Sequence, residues 1–79
     1  MQPQQLAKIL RTVAVVNPSE YGLFWDKDGS MPWKEFFWAL QREEDLRFVR
    51  ESHIREIELA GIDLPFSLEE GRLKLKEPP

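Results

Sequence analysis

The chain has 79 residues, 42% apolar and 32% charged, a composition typical of one small globular domain rather than a disordered tail. The absence of cysteine excludes disulfides and thiolate zinc sites, and the single histidine, His53, disfavours the common zinc sites and a Ser-His-Asp triad. The net charge of −3 disfavours a strong non-specific phosphate binder, and no apolar run approaches the roughly 20 residues of a membrane span. We therefore expect one soluble, cytoplasmic domain over residues 1–79, with 77–79 as a loose tail and no metal, cofactor or membrane partner.

The first predicted element is a helix from about Gln4 to Val16, because apolar residues recur there at the i, i+3, i+4, i+7 spacing. Pro18 ends it by disfavouring helical geometry in the preceding residue. Lys8 and Arg11 share one face of this helix, which is either an ordinary solvated surface or part of a basic strip.

A short strand is predicted next, over residues 21–25, followed by a tight turn at Asp26–Gly29. Asp26 and Asp28 also open the pattern of an EF-hand calcium loop. The twelfth position of that loop falls on Phe37 rather than glutamate, so turn chemistry is the better interpretation.

A second helix is predicted to begin near Pro32, with Ser30 as its cap, and to be followed by a loop or frayed end at Gln41–Asp45. Trp38 lies beside its apolar stripe rather than in it. The stripe is formed by Trp33, Phe36, Phe37 and Leu40 and is expected in the core.

A third helix is predicted over Glu51–Ala60, with Gly61 as its stop. Glu51 and Arg55 have the order that favours an ion pair one turn apart, and His53 is expected at the surface or beside the helix cap. The residues expected to face inward are Ile54, Ile57 and Leu59.

The last predicted element is a β-hairpin, because residues 66–68 and 73–75 alternate in polarity around Glu69-Glu70-Gly71. The order helix, short strand, helix, helix, hairpin predicts an α+β fold of the winged-helix type. In that fold three helices form the core, the hairpin is the wing, and the first strand adds a third strand to the sheet.

The candidate binding residues are cations of the predicted hairpin. Arg72, Lys74 and Lys76 alternate with leucines, so a strand would turn all three to one face, where they could contact a phosphate backbone. Alternatively, they protect an exposed edge strand from aggregation. Lys8, Arg11 and Arg50 are weaker candidates, and the third helix carries more acids than bases, which disfavours DNA reading by that helix.

The order of several segments resembles the start of the RNA 2′-phosphotransferases, which have the pattern Leu-Ser-Lys-x-Leu, then Leu-Arg-His-x-Pro, then Gly-Leu-x-Leu-Asp-x-x-Gly. The segments that carry the resemblance are Leu6-Ala7-Lys8-Ile9-Leu10, Asn17-Pro18, Gly22-Leu23 and Asp26-Lys27-Asp28-Gly29, and the similarity continues through 33–40, Ile54, Ile57 and 66–68. The resemblance implies a winged-helix lobe that helps to hold RNA, and it leaves the family's NAD-binding lobe unmatched.

The resemblance also bears on catalysis. The catalytic Arg-His pair of the family falls on Val15 and Val16, and aliphatic side chains cannot neutralise a transferring phosphate. We therefore expect a non-catalytic module, without cofactor, that binds RNA or DNA weakly through its wing. The alternatives are a protein-interaction module with an acidic helical face and, less favoured, part of a transferase.

Overall fold

A computed structural model of the protein describes residues 1–77. It is a small α+β domain in which three helices pack with a three-stranded antiparallel sheet. In chain order the helices and strands are α1 (Pro3–Arg11), β1 (Ser30–Pro32), α2 (Trp33–Gln41), α3 (Glu51–Leu59), β2 (Phe66–Glu69) and β3 (Arg72–Leu75). Of the expected loose tail, residues 78–79 lie outside the described residues.

The first helix is longer than α1 itself. It continues as a π-helical turn over Thr12–Val16, which closes when the Asn17 N–H donates to the Thr12 carbonyl over 2.9 Å. A 3₁₀ turn, Pro18–Tyr21, follows at once. The extent of the predicted helix is therefore confirmed. Its last turn is π-helical and so wider than an α-helical turn, and the chain leaves the helix there, before Pro18.

The strand predicted over residues 21–25 is wrong. Tyr21 closes the 3₁₀ turn, Gly22 has a positive φ of 70°, and residues 23–25 are irregular. The strand is β1 instead, on the far side of the turn at Asp26–Gly29, because only there does the chain meet β3 as a hydrogen-bonding partner.

The predicted role of Ser30 as the cap of the second helix is also wrong. Ser30 lies in β1, opposite Lys74, and the helix begins after Pro32 without a side-chain cap. The first N–H of the helix, on Trp33, donates instead to the carbonyl of Gly71 over 2.9 Å, so the turn of the hairpin replaces the cap.

The third helix agrees with its prediction except at its end. Gly61 follows it with a φ of 76°, as a helix stop requires, and Glu51 and Arg55 form the expected pair at 3.6 Å. Leu59, however, is 87% exposed and does not face inward. The prediction of a loop or frayed helix end at Gln41–Asp45 is confirmed in part: Gln41 is the last residue of α2, and Glu44 and Asp45 belong to a 3₁₀ turn over Glu44–Leu46.

The hairpin is confirmed, and it forms the sheet with β1. The strand order is β1-β3-β2, so β3 is the central strand. The alternative that the hairpin cations protect an exposed edge is therefore wrong for Arg72 and Lys74. The turn residues Glu70 and Gly71 have φ values of 50° and 77°, the left-handed pair of a two-residue hairpin loop.

One hydrophobic core joins the sheet to the helices. Its largest members are aromatic: the ring of Phe66 lies 5.9 Å from that of Phe36 and 6.5 Å from that of Trp25. Leu73 of β3 is fully buried between the strands and helices. The core thereby fixes the position of the hairpin relative to the end of the first helix.

Candidate functional site

Each of the three hairpin cations lies beside an acid of the same chain. The Arg72 guanidinium meets Asp26 at 2.6 Å, the Lys74 amine meets Glu69 at 3.8 Å, and the Lys76 amine meets Asp63 at 3.5 Å. Ion pairs as exposed as these contribute roughly 0–1 kcal/mol, so a phosphate can replace the acid. The acids nevertheless lower the positive potential that the alternating cations would produce alone.

Arg72 is the most firmly held of the three, because it belongs to a network around Ser30. Its guanidinium donates twice to the Ser30 hydroxyl, at 3.1 and 3.0 Å, and that hydroxyl donates to the Asp28 carboxylate over 2.7 Å. The hydrogen bond from Ser30 lowers the pKa of Asp28. Arg72 therefore joins the turn before β1 to the central strand, which is a structural task.

Arg50 lies in the connection between α2 and α3 and is also committed to structure. Its guanidinium donates to the carbonyls of Arg47 and Val49, at 2.7 and 2.9 Å, and stands 5.1 Å from the ring centre of Phe37. These contacts tie the start of α3 to the side of α2. These contacts leave Arg50, like Arg72, little freedom to reach a ligand.

Lys8 and Arg11 have a different environment. Both are exposed on α1, no acid precedes Glu20 in the sequence, and within residues 1–77 neither forms an ion pair. The least compensated positive surface among the predicted residues is therefore on the first helix rather than on the hairpin.

The structure brings Arg11 and Lys76 together at a cleft of about 720 Å³, which we call the α1–β3 cleft. It lies between the end of the first helix, the segment before β2 and the end of β3. Its apolar walls include Val15, Trp25 and Leu75, and two acids, Asp63 and Glu77, share its rim with the two cations.

Trp25 is the residue of this cleft that sequence analysis assigned wrongly, as part of a strand. Its indole N–H donates over 2.8 Å to the main-chain carbonyl of Ala14, a residue of the π-helical turn. This bond holds the half-buried ring against the first helix, with one side facing the cleft. No pattern in the sequence pairs residue 25 with residue 14.

The two valines aligned with the catalytic pair of the resembled family lie at this end of the molecule. Val15 is on the cleft wall and 40% exposed, and Val16 is 60% exposed. Neither can donate a hydrogen bond or carry charge. Among residues 1–77 no three His, Asp or Glu side chains are grouped closely enough to hold a metal ion.

His53, the only histidine in the sequence, lies beside the cap of α3 as expected, and its role there is structural. Its Nδ1 accepts the main-chain N–H of Arg50 at the start of α3, over 3.0 Å, and its ring stands edge-on to Phe48 at 5.3 Å. The imidazole therefore completes the first turn of α3 and lies apart from the α1–β3 cleft.

No family model matches the chain, and no curated protein matches it at a significant level. Within the part of the chain that the structure describes, no helix has both the length and the apolar character needed to cross a bilayer.

Proposed function

We propose that the chain is a winged-helix module, related to the RNA-holding lobe of the RNA 2′-phosphotransferases, that binds single-stranded RNA without acting on it. Two features support the fold assignment: the element order of α1, β1, α2, α3 and a hairpin, and the pairing of the first strand with the last. Both are expected of a winged helix. The spacing of the segments from Leu6 to Gly29 supports the relationship.

The observation that carries the RNA proposal is the meeting of Arg11, Lys76 and Trp25 in the α1–β3 cleft. An unpaired base can stack on an indole ring, and each base–aromatic contact is worth about 1–3 kcal/mol. Arg11 and Lys76 line the same cleft and supply the positive charge that the phosphates flanking such a base require. Lys8, exposed one turn before Arg11 on α1, extends the same positive surface along the helix.

The acids of the cleft set the expected strength. Asp63 and Glu77 oppose Arg11 and Lys76, so only two or three phosphates are neutralised. For single strands each such contact contributes about −0.7 to the slope of log K against log salt, which gives a slope of about −1.5 to −2. Binding is therefore expected in the micromolar range at low salt and lost as salt rises.

Catalysis is not part of the proposal, because Val15 occupies the cleft wall where a catalytic arginine of the resembled family would stand. Phosphoryl transfer needs charged donors aimed at the transferring group. An NAD⁺ titration followed by calorimetry is expected to show no heat of binding. Specific NAD⁺ binding by this chain would support the third alternative, a transferase component.

The experiment that tests RNA binding compares two substitutions that change the charge equally. Arg11→Glu is expected to weaken binding of a fluorescent single-stranded RNA by about tenfold in low salt, because it removes one phosphate contact and adds repulsion. Arg55→Glu makes the same charge change on α3, outside the cleft lining, and is expected to change the affinity less than threefold.

Fluorescence anisotropy gives both dissociation constants, and a single-stranded DNA of the same sequence shows whether the ribose contributes. Equal losses in the two variants would mean that net charge alone is sensed and that the cleft is not the site. An absence of binding by the unmodified protein would contradict the proposal entirely.

A further inference from the structure

The outer face of α2 carries a large aromatic side chain that the fold does not use. Trp38 is 65% exposed, although most of α2 is turned inward through Phe36, Ala39 and Leu40. Trp25 and Trp33, the other two tryptophans, are both engaged in the core. Exposed tryptophan is uncommon on a free surface and is the residue type most often found at the centre of protein interfaces.

Two cations flank Trp38 on the same ridge. Lys34 precedes it by four residues and Arg42 follows it by four, so all three share one side of the helix. We call this set the α2 ridge. At 1.5 Å per residue the two cations are about 12 Å apart along the axis, with the indole midway. Within residues 1–77 neither cation is in an ion pair.

The Arg42 side chain reaches toward Gly22, since a Cβ at that glycine would lie 3.9 Å from an Arg42 guanidinium nitrogen. Phe24, two residues after Gly22 in the sequence, is 69% exposed.

We propose that the α2 ridge docks an acidic amphipathic helix of a partner protein. The ridge selects a helix with one apolar residue between two acids, each acid three or four residues from it. That spacing places the acids about 9–12 Å apart, to match Lys34 and Arg42, and the apolar side chain against Trp38. Discrete ion pairs around a buried aromatic anchor are typical of such interfaces.

A protein partner fits this face better than RNA because the charge of the ridge is not continuous. Glu35 and Gln41 lie on its two flanks, and Glu35 would repel a phosphate backbone running along the helix. Two carboxylates that face Lys34 and Arg42 stay clear of Glu35, whereas the evenly spaced phosphates of an RNA backbone along the helix would come close to it. The proposal is independent of RNA binding in the α1–β3 cleft, since the two sites have no residue in common.

The test uses a helical peptide of about 20 residues with Glu-x-x-x-Leu-x-x-x-Glu on one face, and a twin in which lysine replaces both glutamates. Titration into ¹⁵N-labelled protein is expected to shift the Trp38 indole signal with the Glu peptide and not with its Lys twin. Trp38→Ala is expected to weaken binding at least tenfold, whereas Leu59→Ala, which removes an even more exposed apolar side chain elsewhere, leaves it unchanged.

A charge exchange makes the result specific. The double variant Lys34→Glu and Arg42→Glu is expected to lose the Glu peptide and to gain the Lys twin. The amide spectrum of each variant shows that it remains folded. Failure of the Glu peptide to bind at millimolar concentration, equal binding of both peptides, or movement of the Trp38 signal with single-stranded RNA instead of the peptide would each overturn the proposal.

Discussion

At the scale of single residues, Ser30 shows how one buried hydroxyl joins two parts of the chain. Its oxygen donates to Asp28 and accepts from Arg72, which uses the one donor and both lone pairs of a hydroxyl. Ser30 is 1% exposed, so water cannot readily replace the hydrogen-bond partners of its hydroxyl. The Asp-x-x-Gly turn and the central strand are therefore coupled through this residue.

Ser30→Ala is expected to lower the free energy of unfolding by about 1–2 kcal/mol, because it leaves Arg72 without its buried partner. Ser52→Ala, at an exposed position of α3, is the matched control and is expected to cost less than about 0.5 kcal/mol. Urea denaturation measures both. Equal effects of the two substitutions would show that the network around Ser30 contributes nothing.

The same substitution has a consequence for pH. The Ser30 hydrogen bond holds the pKa of Asp28 below its ordinary value of 3.8, so the folded protein binds this proton less readily than the unfolded chain. The resulting stabilisation is present above pH 3.8 and is lost as the pH falls through the lowered folded value. In Ser30→Ala, an NMR titration of the Asp28 carboxyl is expected to find the pKa nearer 3.8 than in the unmodified protein, and an unchanged pKa would refute the assigned cause.

At the scale of elements, the start of α3 depends on the side chain of His53, the one histidine in the sequence. His53→Ala removes the acceptor for the Arg50 N–H and is expected to lower the free energy of unfolding by about 0.5–1 kcal/mol. His53→Gln retains an acceptor at the same helical position and is expected to recover more than half of that loss.

Hydrogen exchange of the Arg50 amide gives a direct readout of this cap. Protection is expected to fall in His53→Ala and to persist in His53→Gln. If both variants lose stability equally and protection is unaffected, the contact between His53 and Phe48 matters, and the cap does not.

The free energy of unfolding is expected to respond in opposite directions to substitutions at the two residues of the hairpin turn. Glu70 has a φ of 50°, a conformation that asparagine adopts more easily than glutamate, so Glu70→Asn is expected to raise the free energy of unfolding by about 0.5 kcal/mol. Gly71→Ala is expected to lower it by about 1 kcal/mol, through its φ of 77° alone, because a Cβ there meets no atom within 4 Å. Thermal unfolding measures both, and shifts of the same sign would contradict this account of the turn.

The elements that could be predicted from the sequence are those whose cause is local. The first helix, the aromatic helix, α3 and the hairpin follow from apolar periodicity and from turn residues such as Gly61 and Gly71. The first strand could not be placed, because Ser30–Pro32 is a strand only through pairing with residues about forty positions later. The inward position expected of Leu59 is wrong because it lies two residues after the buried Ile57, and a helix turns residues at that spacing to opposite sides.

At the scale of the whole molecule, the position of positive charge depends on which acids the fold brings near. The sequence shows Arg72, Lys74 and Lys76 without intervening acids, but the fold places Asp26, Glu69 and Asp63 beside them. Only the Glu69 contact lies within the hairpin itself, so the other two depend on tertiary structure. Likewise, nothing local places Trp25 and Lys76 at one cleft with Arg11.

The overall arrangement then separates two surfaces with different chemistry. The α1–β3 cleft, which we propose binds an unpaired nucleotide, is lined by an indole and two cations, whereas the α2 ridge combines an indole with cations at a helical spacing. Because the surfaces share no residue, Trp25 and Trp38 report on them separately. The two proposals can therefore succeed or fail independently.

The most direct test of the central claim, that the α1–β3 cleft binds single-stranded RNA, is an NMR titration of the ¹⁵N-labelled protein with a short RNA at low salt. The account predicts that the Trp25 indole signal and the amides of Arg11, Val15 and Lys76 shift together, while the Trp38 indole stays fixed. Shifts confined to α3, or none at any RNA concentration, would contradict it.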